Sequence, residues 1–169
     1  NVSVIGNYSF AGTYVSDIEL TNLSRSGTGS FKDCKKLTTV VLGEKTRIAP
    51  KMFENNTSLK SIELFCDTIP DEAFLNCTSL ETVISNGNLT YLGEKAFYGC
   101  KNLESVTFNG TVEEIAWAAF ADCSDLETLT LPNCSVRLGE SVFANSGLKT
   151  LVFAENTVLE EVGANIFEE

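Results

Sequence analysis

Eight phenylalanines divide this chain into near-equal lengths. Phe10, Phe31, Phe53, Phe74, Phe97, Phe120, Phe143 and Phe167 recur at intervals of 21, 22, 21, 23, 23, 23 and 24 residues. Self-similarity at a period of this size is the sequence mark of a stacked repeat architecture. Five positions before the Phe stands an aliphatic residue in seven of the eight copies: Ile5, Ile48, Ile69, Leu92, Ile115, Leu138 and Val162. Three positions after it comes Cys34, Cys77, Cys100 or Cys123, with Thr13, Asn56 and Ser146 in the same place elsewhere.

Each copy then runs into a Leu-x-x-Leu-x-Leu pattern, as in Leu59, Ile62, Leu64 and again in Leu126, Leu129, Leu131. The last two apolar residues are spaced by two, which points them to one side of a short strand and turns residues such as Thr107 and Thr130 to the other. A unit of about 22 residues cannot bury this much apolar surface alone, so neighbouring copies must stack on one continuous core. The reading is a solenoid whose strands form a parallel sheet on the concave side. The Gly-x-x-Ala-Phe segment is expected to cross the convex side as a short helix or 3₁₀ turn.

Composition narrows the chemistry. The chain has no histidine, which removes histidine-based triads, general bases and zinc sites. Twenty-three acids against twelve bases give a net charge of −11, which repels nucleic acid and anionic lipid. No apolar run approaches the roughly 18 to 20 residues a membrane helix needs, so no membrane insertion is expected of this segment.

Residues 92–108, LGEKAFYGCKNLESVTF, together with Ala119-Phe120 through Pro132, resemble the BspA-like leucine-rich repeat family, whose unit reads I-G-x-x-A-F-x-x-C-x-x-L-x-x-I-x-I-P. The resemblance covers essentially the whole chain and repeats in register. It implies an α/β fold, a right-handed leucine-rich repeat solenoid, forming a single domain over 1–169 of about seven to eight coils. Neither end carries a distinct polar cap, so the array is read as part of a longer one, with exposed end coils open to end-to-end self-association. Two departures stand out. Ser26 replaces the aliphatic inside the run Ser24 to Ser30, where a mobile bulge is expected, and the copy from Phe143 to Leu148 is one residue short.

Several constellations are candidates for chemistry. Cys77, Cys100 and Cys123 share a register in consecutive coils, but Asn56, Ser146 and Thr13 fill the same slot, so small buried residues at a tight bend are the simpler reading. Cys66 and Cys134 fall off that register, three coils or about 14 Å apart, beyond disulfide reach. Free thiols are expected, with Cys100 and Cys123 the one pair near enough to bridge. The acidic pairs Glu113-Glu114 and Glu160-Glu161 could hold calcium or serve acid–base work, yet no cation-loop pattern accompanies them, and they read as solvated coil edges. No cofactor, metal site or catalytic residue is expected.

The strands present Asp17, Thr39, Ser61, Thr82, Ser105, Thr128 and Thr150 in one outward row, which reads as a hydroxyl ladder. The next outward row is Glu19, Val41, Glu63, Ile84, Thr107, Thr130 and Val152. Its irregular mixture is what a partner-reading surface would carry, and these seven are the candidate ligand-binding residues. The chain also holds eight Asn-x-Ser/Thr sequons, at Asn7, Asn22, Asn55, Asn56, Asn76, Asn88, Asn109 and Asn133, an excess over the number its composition predicts. They are candidate N-glycosylation acceptors and point to a secreted protein.

Members of the family attach to host matrix proteins, host cells or other microbes, so the resemblance implies a non-catalytic adhesion module at the cell surface or outside the cell, with a protein or glycan ligand. The alternative is a structural spacer that presents another domain and has no ligand of its own.

Overall fold

The computed structural model describes residues 2–168. Its strands, numbered in chain order, alternate for most of the chain between two sides of a coil. On the first side lie β1 (Asp17–Leu20), β2 (Thr39–Leu42), β3 (Ser61–Leu64), β5 (Thr82–Ser85), β7 (Ser105–Phe108), β9 (Thr128–Leu131) and β11 (Thr150–Phe153). On the second lie β4 (Thr68–Ile69), β6 (Tyr91–Leu92), β8 (Glu114–Ile115), β10 (Ser135–Leu138) and β12 (Val158–Val162). All pairings are parallel, as a solenoid requires. The first side falls into three hydrogen-bonded groups, β1–β2, β3–β5–β7 and β9–β11, whereas the second is one five-stranded sheet. That second sheet was not expected from the Leu-x-x-Leu-x-Leu pattern.

The third side corrects the expectation of short helices or 3₁₀ turns. Among the described residues there is neither, and Gly-x-x-Ala-Phe is instead a run of turns. The cause is backbone conformation. Two positions before each Phe, the chain has positive φ at Tyr8, Gly29, Lys51, Glu72, Lys95, Ala118, Ser141 and Asn165, and two positions after each of the seven from Phe10 to Phe143 at Gly12, Asp33, Asn55, Asn76, Gly99, Asp122 and Asn145. A left-handed residue at the third position of a turn is the type II arrangement, and it stops a right-handed helix at once. The amides divide accordingly. Ala96, Tyr98 and Cys100 bond back three residues to Gly93, Lys95 and Phe97, while Lys95, Phe97 and Gly99 donate to Trp117, Ala119 and Ala121 of the next coil. The turns therefore satisfy their own backbone and also join the coils.

The core lies between these three sides. All eight phenylalanines stack in one column, with centroids 5.1 to 6.0 Å apart and ring planes within 18° of parallel, the offset geometry that aromatic pairs favour. Phe31 through Phe143 are buried, and only the end rings Phe10 and Phe167 reach solvent. Leu92 and Ile115 enter from the second sheet, Val83 and Leu129 from the first. Removing a fully enclosed ring such as Phe97 would cost about 3 to 5 kcal/mol through the cavity it leaves.

The Ser24–Ser30 segment also departs from expectation, because it holds register with the coils on both sides. Arg25 bridges Val4, the Ser26 hydroxyl donates to the Arg47 carbonyl at 2.7 Å, and Thr28 N donates to Asn7 Oδ1. Gly27 is required there, since a Cβ would meet the Asn7 amide at 2.3 Å. The short copy is likewise accommodated by Gly147, whose missing side chain lets the Ser124 carbonyl approach to 2.0 Å from where a Cβ would be.

Candidate functional site

The strand registers place the second outward row as the sequence indicated. Glu19 lies opposite Val41, Glu63 opposite Ile84, Ile84 opposite Thr107, and Thr130 opposite Val152. Six of the seven are exposed and Ile84 is half-buried. Val41 and Val152 are apolar side chains left to water at 46% and 39% exposure; Leu42 beside Val41 is core, whereas Val152 lies on β11, whose Phe153 is exposed as well. The seven thus form one row across the first side, interrupted in hydrogen bonding but not in order.

The neighbouring row is only partly the hydroxyl ladder expected. Ser105 Oγ meets Thr82 Oγ1 at 3.4 Å, and Asp17 accepts from Ser16 Oγ at 2.6 Å. The Ser16 hydroxyl first, then that of Thr39, holds the Asp17 carboxyl below its usual range. Ser61, Thr128 and Thr150 make no side-chain hydrogen bond among the described residues, which leaves their hydroxyls open to a ligand.

Both rims of this face are polar and ordered. On one side, Lys60 pairs with Glu81 at 3.4 Å and Lys149 pairs with Glu127, in the position just before the strands. On the other, Asn109 Nδ2 donates to Asn86 Oδ1 and Asn86 Nδ2 to Glu63 Oε1, each at 2.7 Å. This amide chain was missed in the sequence. Its signal was there, as Asn86-Gly87 and Asn109-Gly110 stand 23 residues apart in the same register. A mixed centre inside a polar rim is the usual anatomy of a recognition surface.

The other candidates resolve differently. All six cysteines are free. Those of the repeat register serve the backbone, as Cys34, Cys77, Cys100 and Cys123 each donate from Sγ to the Phe carbonyl of the preceding coil, at 3.1 to 3.2 Å. Burial pushes the Cys77 thiol up to about 12 and that of Cys66 to about 11, which keeps them protonated and unreactive. Glu114 and Glu160 flank Arg137 from β8 and β12, at 3.1 and 3.5 Å, so one member of each acidic pair is spent on an ion-pair ladder. No cluster of three or more metal-ligating side chains exists among the described residues.

Of the sequons, Asn7, Asn22, Asn76, Asn88, Asn109 and Asn133 are exposed and Asn55 is half-buried. Asn7 and Asn88 use Oδ1 to accept from Thr28 N and Thr111 N of the next coil, and Asn76 donates to Asn55 Oδ1. Asn56 is corrected: it fills the cysteine slot, fully buried, and is closed to any glycan in the folded chain.

Solved structures share this architecture. The chain aligns over 99% of its length with a leucine-rich repeat protein from Bacteroides ovatus, at 20% identity and a TM-score of 0.52, and spans 62% of that protein. It aligns over 90% with a leucine rich cell surface protein from Faecalibacterium prausnitzii (18% identity, TM-score 0.52, 52% of that chain). A T. pallidum leucine rich repeat protein matches over 96% (21% identity, TM-score 0.54, 67% of that chain). No match was found among curated proteins. The family model for the BspA type leucine rich repeat region matches in six copies across residues 1–68 and 67–169. Its repeat is the one that the phenylalanine column, the thiol-to-carbonyl bonds and the parallel strands embody here, and the chain belongs to that family.

Proposed function

We propose that this chain is a non-catalytic binding module, at the cell surface or secreted, that mediates adhesion by recognising a protein or glycan on host cells, host matrix or other microbes. Recognition occurs through the row Glu19, Val41, Glu63, Ile84, Thr107, Thr130 and Val152. The observation that carries this reading is the exposure of that row between two ordered polar rims, with apolar Val41 and Val152 left in water and the hydroxyls of Ser61, Thr128 and Thr150 unpaired among the described residues. The family assignment agrees with it, and one protein of the same fold is described as a cell surface protein. The side chains gathered on the face include no nucleophile–base pair and no metal set, so binding rather than catalysis suits it.

The test is a screen of the purified chain against matrix proteins, glycan arrays and host cells, followed by replacement of Val41, Ile84, Thr107 and Thr130 by Lys and of Glu63 by Arg. Binding is expected to be lost while circular dichroism stays native. Retention of binding by that variant would overturn the assignment of the face. Absence of any ligand for the wild-type chain would favour a spacer that holds another domain.

A further inference from the structure

The turn side carries the chain's single tryptophan, Trp117, and leaves it 42% exposed. Glu72 N, Lys95 N and Ala118 N donate to the carbonyls of Glu94, Trp117 and Glu140. Those three acceptor residues therefore stand in one row on consecutive coils, about 4.8 Å apart. Lys95 Nζ lies 4.5 Å from the Trp117 ring centroid and 5.4 Å from that of Tyr98, inside the roughly 6 Å over which a ring face attracts a cation. Asp122 is the group that most raises the Tyr98 hydroxyl above its usual range, which sets its carboxylate beside that ring. On the following coil the rows of Lys95 and Tyr98 continue with Ala118 and Ala121, which are too small to cover the rings.

The charge around these rings is unbalanced. Glu94, Asp122 and Glu140 make no ion pair among the described residues, and neither does Lys95, whose ammonium rests on the two rings instead. The patch is thus a pair of aromatic faces that already accept an ammonium, set among three carboxylates without a cation of their own. Trp and Tyr are also the side chains that most often dominate binding energy at interfaces. We propose that this patch is a docking site for a lysine- or arginine-rich segment of a partner protein. The partner's cation displaces Lys95 from the ring faces, and Glu94, Asp122 and Glu140 meet the charges beside it. The site lies on the turn side, apart from the strand face, and does not depend on the reading given to that face.

Trp117 is its own reporter, since its emission comes from the site alone. The probe is a short peptide of alternating arginine and glycine, compared with the same peptide carrying citrulline. The arginine peptide is expected to change Trp117 emission saturably and to be released by salt, whereas the citrulline peptide has no effect. Lys95→Gln removes the resident competitor and should tighten binding about two- to fivefold, while Trp117→Ala, followed by anisotropy of labelled peptide, should weaken it by a similar factor or more. Trp117→Phe provides the same reading, with a smaller loss, should the alanine variant fail to fold. Glu94→Gln combined with Glu140→Gln should also weaken it. Weaker binding in Lys95→Gln, unchanged binding in the Trp117 variants, or an equal emission change with the citrulline peptide or a neutral oligosaccharide would each overturn the proposal.

Discussion

At the scale of single residues, one slot explains much of the repeat. The position three after each Phe faces the core, and a thiol there adds a second hydrogen bond to a carbonyl of the preceding coil. Thr13 makes the equivalent bond to the Phe10 carbonyl within its own coil, at 2.8 Å. Asn56 does neither, and both its amide atoms are buried without a partner among the described residues. An unsatisfied buried polar group costs about 1 to 3 kcal/mol, so Asn56→Cys should stabilise the protein by about 1 kcal/mol in urea denaturation. An unchanged or lower midpoint would show that Asn56 is satisfied in some other way.

Buried thiols lower stability on the alkaline side. Cys66 and Cys77 are raised from 9.0 to about 11 and about 12, in both cases first by burial, and burial also raises Cys100 and Cys123. Unfolding lets a buried thiol ionise, so above pH 9 the unfolded state holds fewer protons than the native one and stability falls as pH rises. The contribution is whole below pH 9 and is lost progressively up to about pH 12 for Cys77. The melting temperature should therefore drop between pH 9 and 11 more steeply in wild type than in a variant with Cys66, Cys77, Cys100 and Cys123 replaced by Ala. Equal slopes would contradict it.

At the scale of elements, the turn run shows what the sequence did and did not disclose. Two residues after each Phe from Phe10 to Phe143 stand Gly12, Asp33, Asn55, Asn76, Gly99, Asp122 and Asn145, all of them residues that tolerate positive φ. That column marked a left-handed turn and was legible, but it suits the end of a short helix as well as a run of turns. Two residues before, Lys51, Glu72, Lys95 and Ala118 adopt the same conformation with no such mark, because coil-to-coil bonds on either side impose it. The second sheet was hidden for a related reason. Strands of two residues, such as Thr68–Ile69, contribute a single core side chain each, which leaves no alternation to detect. The Phe column and the outward rows, spaced regularly over many copies, could be read directly.

The left-handed positions make a sharp contrast between neighbours. Ala118 has φ of 52°, a conformation that costs an L-residue about 1 to 2 kcal/mol, whereas Ala119 is fully buried without positive φ. Ala118→Gly should be neutral or stabilising, and Ala119→Gly should destabilise by roughly 0.5 to 1 kcal/mol. Thermal melts of the two variants decide the matter, and equal destabilisation would contradict the turn geometry.

At the scale of the whole molecule, every coil from β3 onward repeats three parts, namely a strand that shows two side chains outward, a second strand, and a turn run that seats a ring. The phenylalanine column is invariant from coil to coil, while the outward row changes from Glu19 to Val41 to Thr107. Rigid stacking thus holds a variable row in fixed register, which is the basis for assigning recognition to it. The most direct measurement of that claim is photo-cross-linking with a benzophenone side chain at Thr107 or Thr130, compared with one at Leu75 or Ala144 on the turn side, against the ligand found by screening. Cross-links from Thr107 and Thr130 and none from Leu75 or Ala144 are the predicted result; cross-links from the turn side alone would contradict it.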